Sequence, residues 1–120
     1  MARGVHIKLL AWQEAMKFAE MVYQYTKPFP RDELFGLTSQ LRRAAVSVPS
    51  NIAEGAARNS FKELARFLGI ASGSVAELET QFELAARLGY IEREAPVFQQ
   101  ITRVAQLVVA LRRSIRMAIA

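Results

Sequence analysis

Polar side chains recur at every third or fourth position in two stretches of the chain, residues 43–58 and residues 74–81. This spacing makes them neighbours along one face of a helix, so that Ser47 can hydrogen-bond Asn51. Because unpaired polar groups are costly when they leave water, three interpretations are open: hydrogen bonds that fix helix register or join subunits, ligand binding, or simple exposure to solvent. We interpret these residues as a structural or assembly stripe: Ser47, Asn51, Glu54, Ser74, Glu77 and Gln81.

Arginines are concentrated towards the end of the chain, where residues 95–120 contain no acidic residue. Cations near a helix C-terminus also favour the helix dipole, which is the simpler explanation. The alternative is a patch that contacts phosphate groups. Since aromatic residues are not interleaved with these arginines, such a patch would bind the nucleic-acid backbone or its shape instead of stacking on bases. The candidate nucleic-acid-binding residues are Arg42, Arg43, Arg58, Arg112, Arg113 and Arg116.

The sequence carries no recognisable catalytic or metal-binding pattern. The single histidine, His6, lies in the N-terminal segment, and no Glu-x-x-His pair of the kind that holds metals in helical bundles occurs. The glycine-rich run over residues 69–74 matches no phosphate-binding loop. Because glycines weaken helices, we expect Gly69 and Gly73 to permit close packing against small residues of the second helix. The sequence therefore predicts neither an enzyme nor a cofactor-binding protein.

The composition is that of one globular domain. The 120 residues are 52% hydrophobic and include no cysteine, which excludes a disulfide framework and fits a reducing compartment. A formal net charge of +5 favours polyanionic partners modestly, since a mixed-charge surface also serves solubility. We recognise neither a signal peptide nor a transmembrane span, and expect a cytoplasmic protein without a membrane partner. Residues 1–9 are expected to form a short arm ahead of a domain over residues 10–120.

Apolar residues spaced by three and four positions predict helices. The first helix covers residues 10–26 and ends at a proline-containing segment, in which Phe29 is expected to close one end of the bundle. The third helix begins after Ser60, where Ser60 and Glu63 form a capping-box pattern, and it stops before Gly89.

Pro49 falls within the second helix, which is predicted from Asp32 or Leu37 to Ala57. A proline in a helix interior costs about 3 kcal/mol because it removes a backbone hydrogen bond. The segment is therefore either one kinked helix or two helices with Pro49 in the first turn of the second. The apolar stripe continues in phase through Ile52, which favours the single kinked helix.

No alternating pattern typical of strands competes with these helices. The fourth helix opens at Pro96, a residue that is tolerated in a first helical turn, and continues towards the end of the chain. Because the connections are short and the apolar repeats span seven residues, the sequence predicts an all-α fold: an antiparallel up-down-up-down four-helix bundle.

Residues 35–55, FGLTSQLRRAAVSVPSNIAEG, resemble the signature of the four-helix proteins encoded in 23S rRNA intervening sequences. Residues 67–74 (FLGIASGS), 77–81 (ELETQ) and 88–91 (LGYI) also look like that family, and the resemblance covers roughly residues 8–118. It implies an antiparallel four-helix bundle, a bacterial cytoplasmic setting and, as in several members, a homopentameric barrel. The family includes the accessory protein of diversity-generating retroelements, a basic barrel that associates with a reverse transcriptase and nucleic acid.

The residues and the resemblance together predict a non-enzymatic homo-oligomer, a pentamer by resemblance, with a basic surface that binds RNA or DNA without strong sequence preference. Ring assembly would multiply the positive charge of one chain and so raise its affinity for phosphate groups. The alternative is a protein-interaction scaffold for an acidic partner, such as a reverse transcriptase or another effector. RNA retention that depends on salt would favour the first hypothesis, and affinity that requires one protein partner would favour the second.

Overall fold

Four α-helices and one short 3₁₀ turn form most of residues 9–119, the part of the chain that the computed structural model describes. The helices are α1 (Leu10–Thr26), α2 (Leu37–Ala57), α3 (Phe61–Arg87) and α4 (Pro96–Ile119), and the 3₁₀ turn is Arg31–Glu33. No strand occurs between residues 9 and 119, so the predicted all-α class is confirmed. The predicted N-terminal arm, including His6, lies outside the described residues, except for Leu9, whose side chain packs against the core.

Each helix packs against its neighbours in sequence, and α4 also packs against α1 to close the bundle. Short connections make consecutive helices antiparallel, as the sequence predicts. In the interior, the rings of Phe18 in α1 and Phe82 in α3 meet edge to face with their centroids 6.2 Å apart. The largest fully buried side chains are Phe18, Phe82, Leu41, Ile52, Leu64, Leu68, Leu78, Val22, Val48, Val97, Val104 and Val108.

Pro49 lies within a single helix, because α2 continues without interruption from Leu37 to Ala57, and its side chain is buried. The interpretation as one helix is confirmed, and the alternative of two helices is wrong. The proline ring lines the bottom of a groove between α1 and α2. Val48 and Ile52, before and after it in sequence, are buried in the core. Continuity of the apolar stripe therefore outweighs the lost backbone hydrogen bond.

The start of α3 uses half of the predicted capping box. Ser60 Oγ accepts a hydrogen bond from the backbone N–H of Glu63 at 3.2 Å, which satisfies one of the free donors of the first turn. The Glu63 carboxylate accepts its hydrogen bonds from Arg66, at 3.0 and 3.2 Å. The reciprocal bond from Glu63 to the cap is therefore replaced by a pair along the helix surface.

Gly89 ends α3 as predicted, with a φ of 79° in the left-handed region that favours glycine. The N–H of Tyr90 donates to the carbonyl of Ala85 at 2.9 Å, and that of Gly89 donates to Ala86 at 3.0 Å, which is the Schellman pattern. The turn brings Tyr90 to Phe29, with their ring centroids 5.4 Å apart. Phe29 is buried there and closes this end of the bundle, as expected.

The predicted role of the α3 glycines is wrong. A Cβ on Gly73 would meet nothing within 4 Å, and a Cβ on Gly69 would lie 2.9 Å from the Arg112 guanidinium of α4. The close approach between α2 and α3 is instead made by Gly55, where a Cβ would lie 2.9 Å from the Cβ of Phe67. The small residues of α2 do permit tight packing, but the glycine that matters lies in α2 itself.

Unequal helix lengths shape the far end of the bundle. At 1.5 Å per residue, the 17 residues of α1 span about 25 Å, whereas the 27 residues of α3 span about 40 Å. The long dimension of the molecule, 45 Å, follows the longer helices. Because α1 and α3 end at a similar level near Phe29, the start of α3 and the end of α4 project past the beginning of α1. The projecting part of α4 carries Arg112, Arg113 and Arg116.

Candidate nucleic-acid interface

Three predicted arginines converge on a groove between α3 and α4, which we call the arginine groove. It has a volume of about 410 Å³ and is lined by Ser72, Val109, Arg112, Arg113, Arg116 and Met117. None of these lining residues is acidic. The convergence follows from helical spacing, because positions 112, 113 and 116 share one side of α4 that faces Ser72 of α3.

Arg112 is held in place by α3. Its Nε donates a hydrogen bond to the backbone carbonyl of Ala65 at 3.3 Å, and its guanidinium occupies the space left by the missing side chain of Gly69. A half-buried arginine fixed in this way presents its remaining N–H groups in a set direction, which suits a bidentate contact with two oxygens of a phosphate group. Arg113 and Arg116 are exposed, and no ion pair joins either of them to another described residue.

Arg58 lies at the same end of the bundle, but its guanidinium contacts neighbouring side chains of the same protomer. Its guanidinium pairs with Glu54 at 3.1 Å and lies over the ring of Phe67 at 5.2 Å. The Arg66 guanidinium lies over the same ring, 4.4 Å from its centroid. Its hydrogen bonds to the Glu63 carboxylate hold the pKa of that carboxyl below its usual range. Exposed pairs of this type contribute little stability, so Arg58 adds positive charge that is partly compensated.

Arg42 and Arg43 do not join the arginine groove. Arg42 turns towards α1, where its Nε donates to Thr26 Oγ1 at 2.9 Å and its guanidinium lies 4.8 Å from the centroid of the Tyr23 ring. Arg43 is exposed on the opposite side of α3, in a groove shared with Glu77. The six predicted arginines therefore do not form one patch: three converge, one lies near them, and two belong to other surfaces.

The two polar stripes meet between α2 and α3. Ser47 Oγ and Ser74 Oγ are hydrogen-bonded at 2.9 Å, and Asn51 Nδ2 donates to the carbonyl and the hydroxyl of Ser47 at 2.8 and 2.9 Å. Gln81 Nε2 donates to Gln40 Oε1 at 3.5 Å, the limit of a hydrogen bond. We call the surface here the polar groove, which has a volume of about 350 Å³ and is lined by Gln40, Arg43, Ala44, Ser47, Ser74 and Glu77.

Two members of the predicted stripe lie apart from this network. Glu54 is exposed and bonded to Arg58, so it takes no part in packing within the protomer, and its expected role in assembly stays a prediction. Glu77 is also exposed, at the edge of the polar groove. Spacing alone could not separate them from Ser47 and Ser74, because a stripe wide enough to hold the hydroxyls also reaches the solvent side of each helix.

Sequence reasoning missed a third surface, an apolar groove of about 570 Å³ between α1 and α2. Met16, Tyr23 and Val46 are each about two-fifths exposed there. The small residues of α2 leave room beside this helix, but their spacing alone does not indicate that α1 forms the other wall. The lining carries one acidic and one basic side chain, Glu20 and Lys27, so charge does not converge here as it does in the arginine groove.

Residues 9–119 contain no group of three or more His, Cys, Asp or Glu side chains arranged to hold a metal ion. Nor is any helix among the described residues long and apolar enough to cross a membrane. Both findings concern the described part of the chain alone.

Comparison with known proteins identifies relatives of this fold. The family model described as 23S rRNA-intervening sequence protein matches residues 7–110. The chain is also similar to a crystal structure from Bacteroides thetaiotaomicron, a protein with unknown function from the S23 ribosomal protein family. The TM-score is 0.79 at 23% sequence identity, over 87% of this chain and 96% of that one, and the likeness shows the shared fold. No curated protein matches the chain.

Proposed function

We propose that this chain, which belongs to the 23S rRNA-intervening sequence protein family, is a non-enzymatic, cytoplasmic homo-oligomer, a pentamer by resemblance, that binds RNA or another nucleic acid through the arginine groove. The chemistry is that of a polyanion receptor. Positive side chains replace the counterions around phosphate groups, and the release of those counterions supplies the free energy of binding. We expect no strong sequence preference, because no amide or aromatic side chain accompanies the arginines in the lining of the groove.

The observation that carries this proposal is the convergence of Arg112, Arg113 and Arg116 without an acidic lining residue. Several other arginines pair with a carboxylate of the same protomer. Arg87 and Arg93 both pair with Glu83 at 2.8 Å. An excess of one sign that is concentrated in one groove is typical of a phosphate-binding surface.

Self-association would strengthen this interaction. One protomer offers three arginines to a polymer of phosphates, whereas a ring offers the same groove several times on one particle. Once one groove is occupied, the others meet the same RNA molecule at high effective concentration, so the total affinity exceeds that of a single groove.

The direct test is the dependence of RNA affinity on salt. We expect the slope of log K against log[salt] to fall by about one for each arginine that contacts a phosphate, so by about two in the double variant Arg113→Ala/Arg116→Ala. Arg31→Ala is the matched control, since Arg31 is exposed on the 3₁₀ turn near the other end of the bundle. Equal slopes in the wild type and the double variant would refute the arginine groove as the binding site.

An acidic protein partner is a second candidate because of the apolar wall of the groove. Val109 and Met117 are 44% and 72% exposed. A phosphate backbone makes no use of such side chains, but an acidic peptide with apolar residues would cover them. A peptide of alternating Glu and Leu that displaces RNA at much lower concentration than an equally long oligoglutamate would favour this candidate. Equal displacement by both peptides would favour a pure charge receptor.

A further inference from the structure

We propose that the polar groove between α2 and α3 is a contact between copies of this chain, in which Arg43 of one protomer pairs with Glu77 of the next. The inference rests on the homo-oligomeric part of the proposed function and adds the residues that join the subunits. It concerns a different face of α3 from the one that forms the arginine groove.

Arg43 and Glu77 lie at the same height along the bundle. The hydrogen bond between Ser47 and Ser74 fixes the register of α2 against α3. Because the two helices are antiparallel, one turn back from Ser47 along α2 and one turn forward from Ser74 along α3 lead in the same direction. Arg43 and Glu77 occupy these two positions, and both line the polar groove.

Their charges are unpaired within the protomer. Neither Arg43 nor Glu77 forms an ion pair with any residue between positions 9 and 119, and both are exposed. Two other glutamates of α3 are paired within the protomer, Glu63 with Arg66 and Glu83 with Arg87. An unpaired cation and an unpaired anion on facing walls of one groove are complementary to a second copy of the same groove.

The hydrogen-bond network beneath these charges is incomplete. Gln81 is 8% exposed, and its Oε1 atom is buried without a partner among the described residues. The single bond from Gln81 to Gln40 is long, at 3.5 Å. A buried acceptor without a donor is costly, and α2 of a neighbouring chain that lies beside α3 would supply a donor after a small side-chain rotation.

In a ring whose symmetry axis is parallel to the helices, contacting residues of neighbouring copies must lie at the same height along the bundle. Rotation about such an axis moves a residue around the ring without moving it along the axis. If α2 and α3 of every copy face a common axis, the helices alternate around it, and α3 of one copy lies beside α2 of the next. Glu77 then meets Arg43 of the adjacent copy at every interface.

Charge reversal with mixing tests this contact. We expect Arg43→Glu and Glu77→Arg each to raise at least about tenfold the concentration at which the assembly dissociates, because like charges then face each other. Mixing the two variants should restore large particles, because the new carboxylate at position 43 of one variant meets the new guanidinium at position 77 of the other. In an odd-numbered ring of alternating copies one mismatched contact remains, so the double variant Arg43→Glu/Glu77→Arg provides the fully matched reference.

Light scattering over a range of protein concentrations gives the mass, and the helical circular dichroism signal verifies that each variant folds. Glu79→Arg is the matched control, since Glu79 is exposed on α3 and does not line the polar groove; its particle mass should equal that of the wild type. Rescue in the double variant without rescue in the mixture would place the pair within one protomer and overturn the proposal. So would single variants that keep the full mass, which is the result expected if the groove binds a small anion or a peptide instead.

The particle mass of the wild type distinguishes failure of this contact from failure of the proposed homo-oligomer. A monomeric wild type overturns both this contact and the homo-oligomeric part of the proposed function. An oligomeric wild type that resists charge reversal overturns this contact alone.

Discussion

The two grooves beside α3 differ in how their charges are arranged. In the arginine groove, the lining charges are all positive. In the polar groove, one cation and one anion lie at the same height above a floor of hydroxyl and amide groups. A surface of one sign attracts a long polyanion, whereas a surface with both signs in register is complementary to a copy of itself. One helix can therefore serve two partners, because its two faces carry different charge patterns.

The grooves also differ in what holds their side chains. Arg112 is fixed by a backbone carbonyl and by the space above Gly69, so the arginine groove depends on backbone geometry. The polar groove depends on side-chain hydrogen bonds from Asn51 through Ser47 to Ser74. Substitutions that disturb the support of Arg112 and substitutions that remove the side-chain hydrogen bonds of the polar groove should therefore differ in their consequences for stability and for binding.

The largest effect on stability is expected from the floor of the polar groove. Asn51→Ala removes two hydrogen bonds of a half-buried amide, which should lower the free energy of unfolding by about 1–2 kcal/mol. Glu54→Ala should change it by less than about 0.5 kcal/mol, because an exposed pair with Arg58 is lost. Urea denaturation of both variants measures this difference. A Glu54→Ala variant that is as unstable as Asn51→Ala would show that the floor of the groove does not carry the stability.

A second pair of variants separates stability from binding in the arginine groove. Gly73→Ala adds a methyl group in open space and should stabilise α3 by about 0.5–1 kcal/mol. Gly69→Ala gains the same helix propensity but displaces the guanidinium of Arg112, which lies 2.9 Å from the new Cβ. We expect Gly69→Ala to keep its melting temperature and to lose RNA affinity severalfold, while Gly73→Ala keeps the affinity. If both variants bind RNA like the wild type, the fixed orientation of Arg112 is irrelevant to binding.

The smallest effect concerns charges that are already neutralised within the protomer. Hydrogen bonds from Arg93 and Arg87 lower the pKa of the Glu83 carboxyl to about 2. Because the folded-state pKa lies below the unfolded value of about 4.5, this carboxylate stabilises the fold above pH 4.5 and loses that contribution as the pH falls towards 2. Between about pH 5 and pH 2.5 the melting temperature of Glu83→Gln should therefore fall by less than that of the wild type.

Glu79→Gln provides the reference for that comparison, since Glu79 is exposed and forms no ion pair with a described residue. If Glu83→Gln and the wild type lose the same amount of melting temperature on acidification, the pairing of Glu83 with the two arginines does not stabilise the folded chain.

The helices could be predicted because local signals agree with the global pattern. Apolar repeats place the core positions, and both ends of α3 have a chemical cause, Ser60 at its start and Gly89 after its last turn. Even the buried Pro49 was placed correctly, since the apolar stripe stays in phase on both sides of it.

The candidate sites were only partly predictable, because they depend on which helix faces which. Arg42 and Arg43 are adjacent in sequence, yet one turns towards α1 and the other towards α3. The packing of the Arg112 guanidinium against Gly69 joins residues more than forty positions apart, and helical periodicity carries no information about that contact. Rotation about each helix axis and the lengths of neighbouring helices decide these pairings, and both follow from tertiary packing.

The most direct test of the division between the two grooves is particle mass, with and without a structured RNA at low salt, for Arg113→Glu and Arg43→Glu. We expect Arg113→Glu to keep the oligomer mass of the wild type and to take up little RNA. We expect Arg43→Glu to dissociate into smaller particles, each of which retains the weaker binding of a single arginine groove. Loss of assembly in Arg113→Glu, or full assembly together with loss of RNA uptake in Arg43→Glu, would show that the two grooves do not have these separate roles.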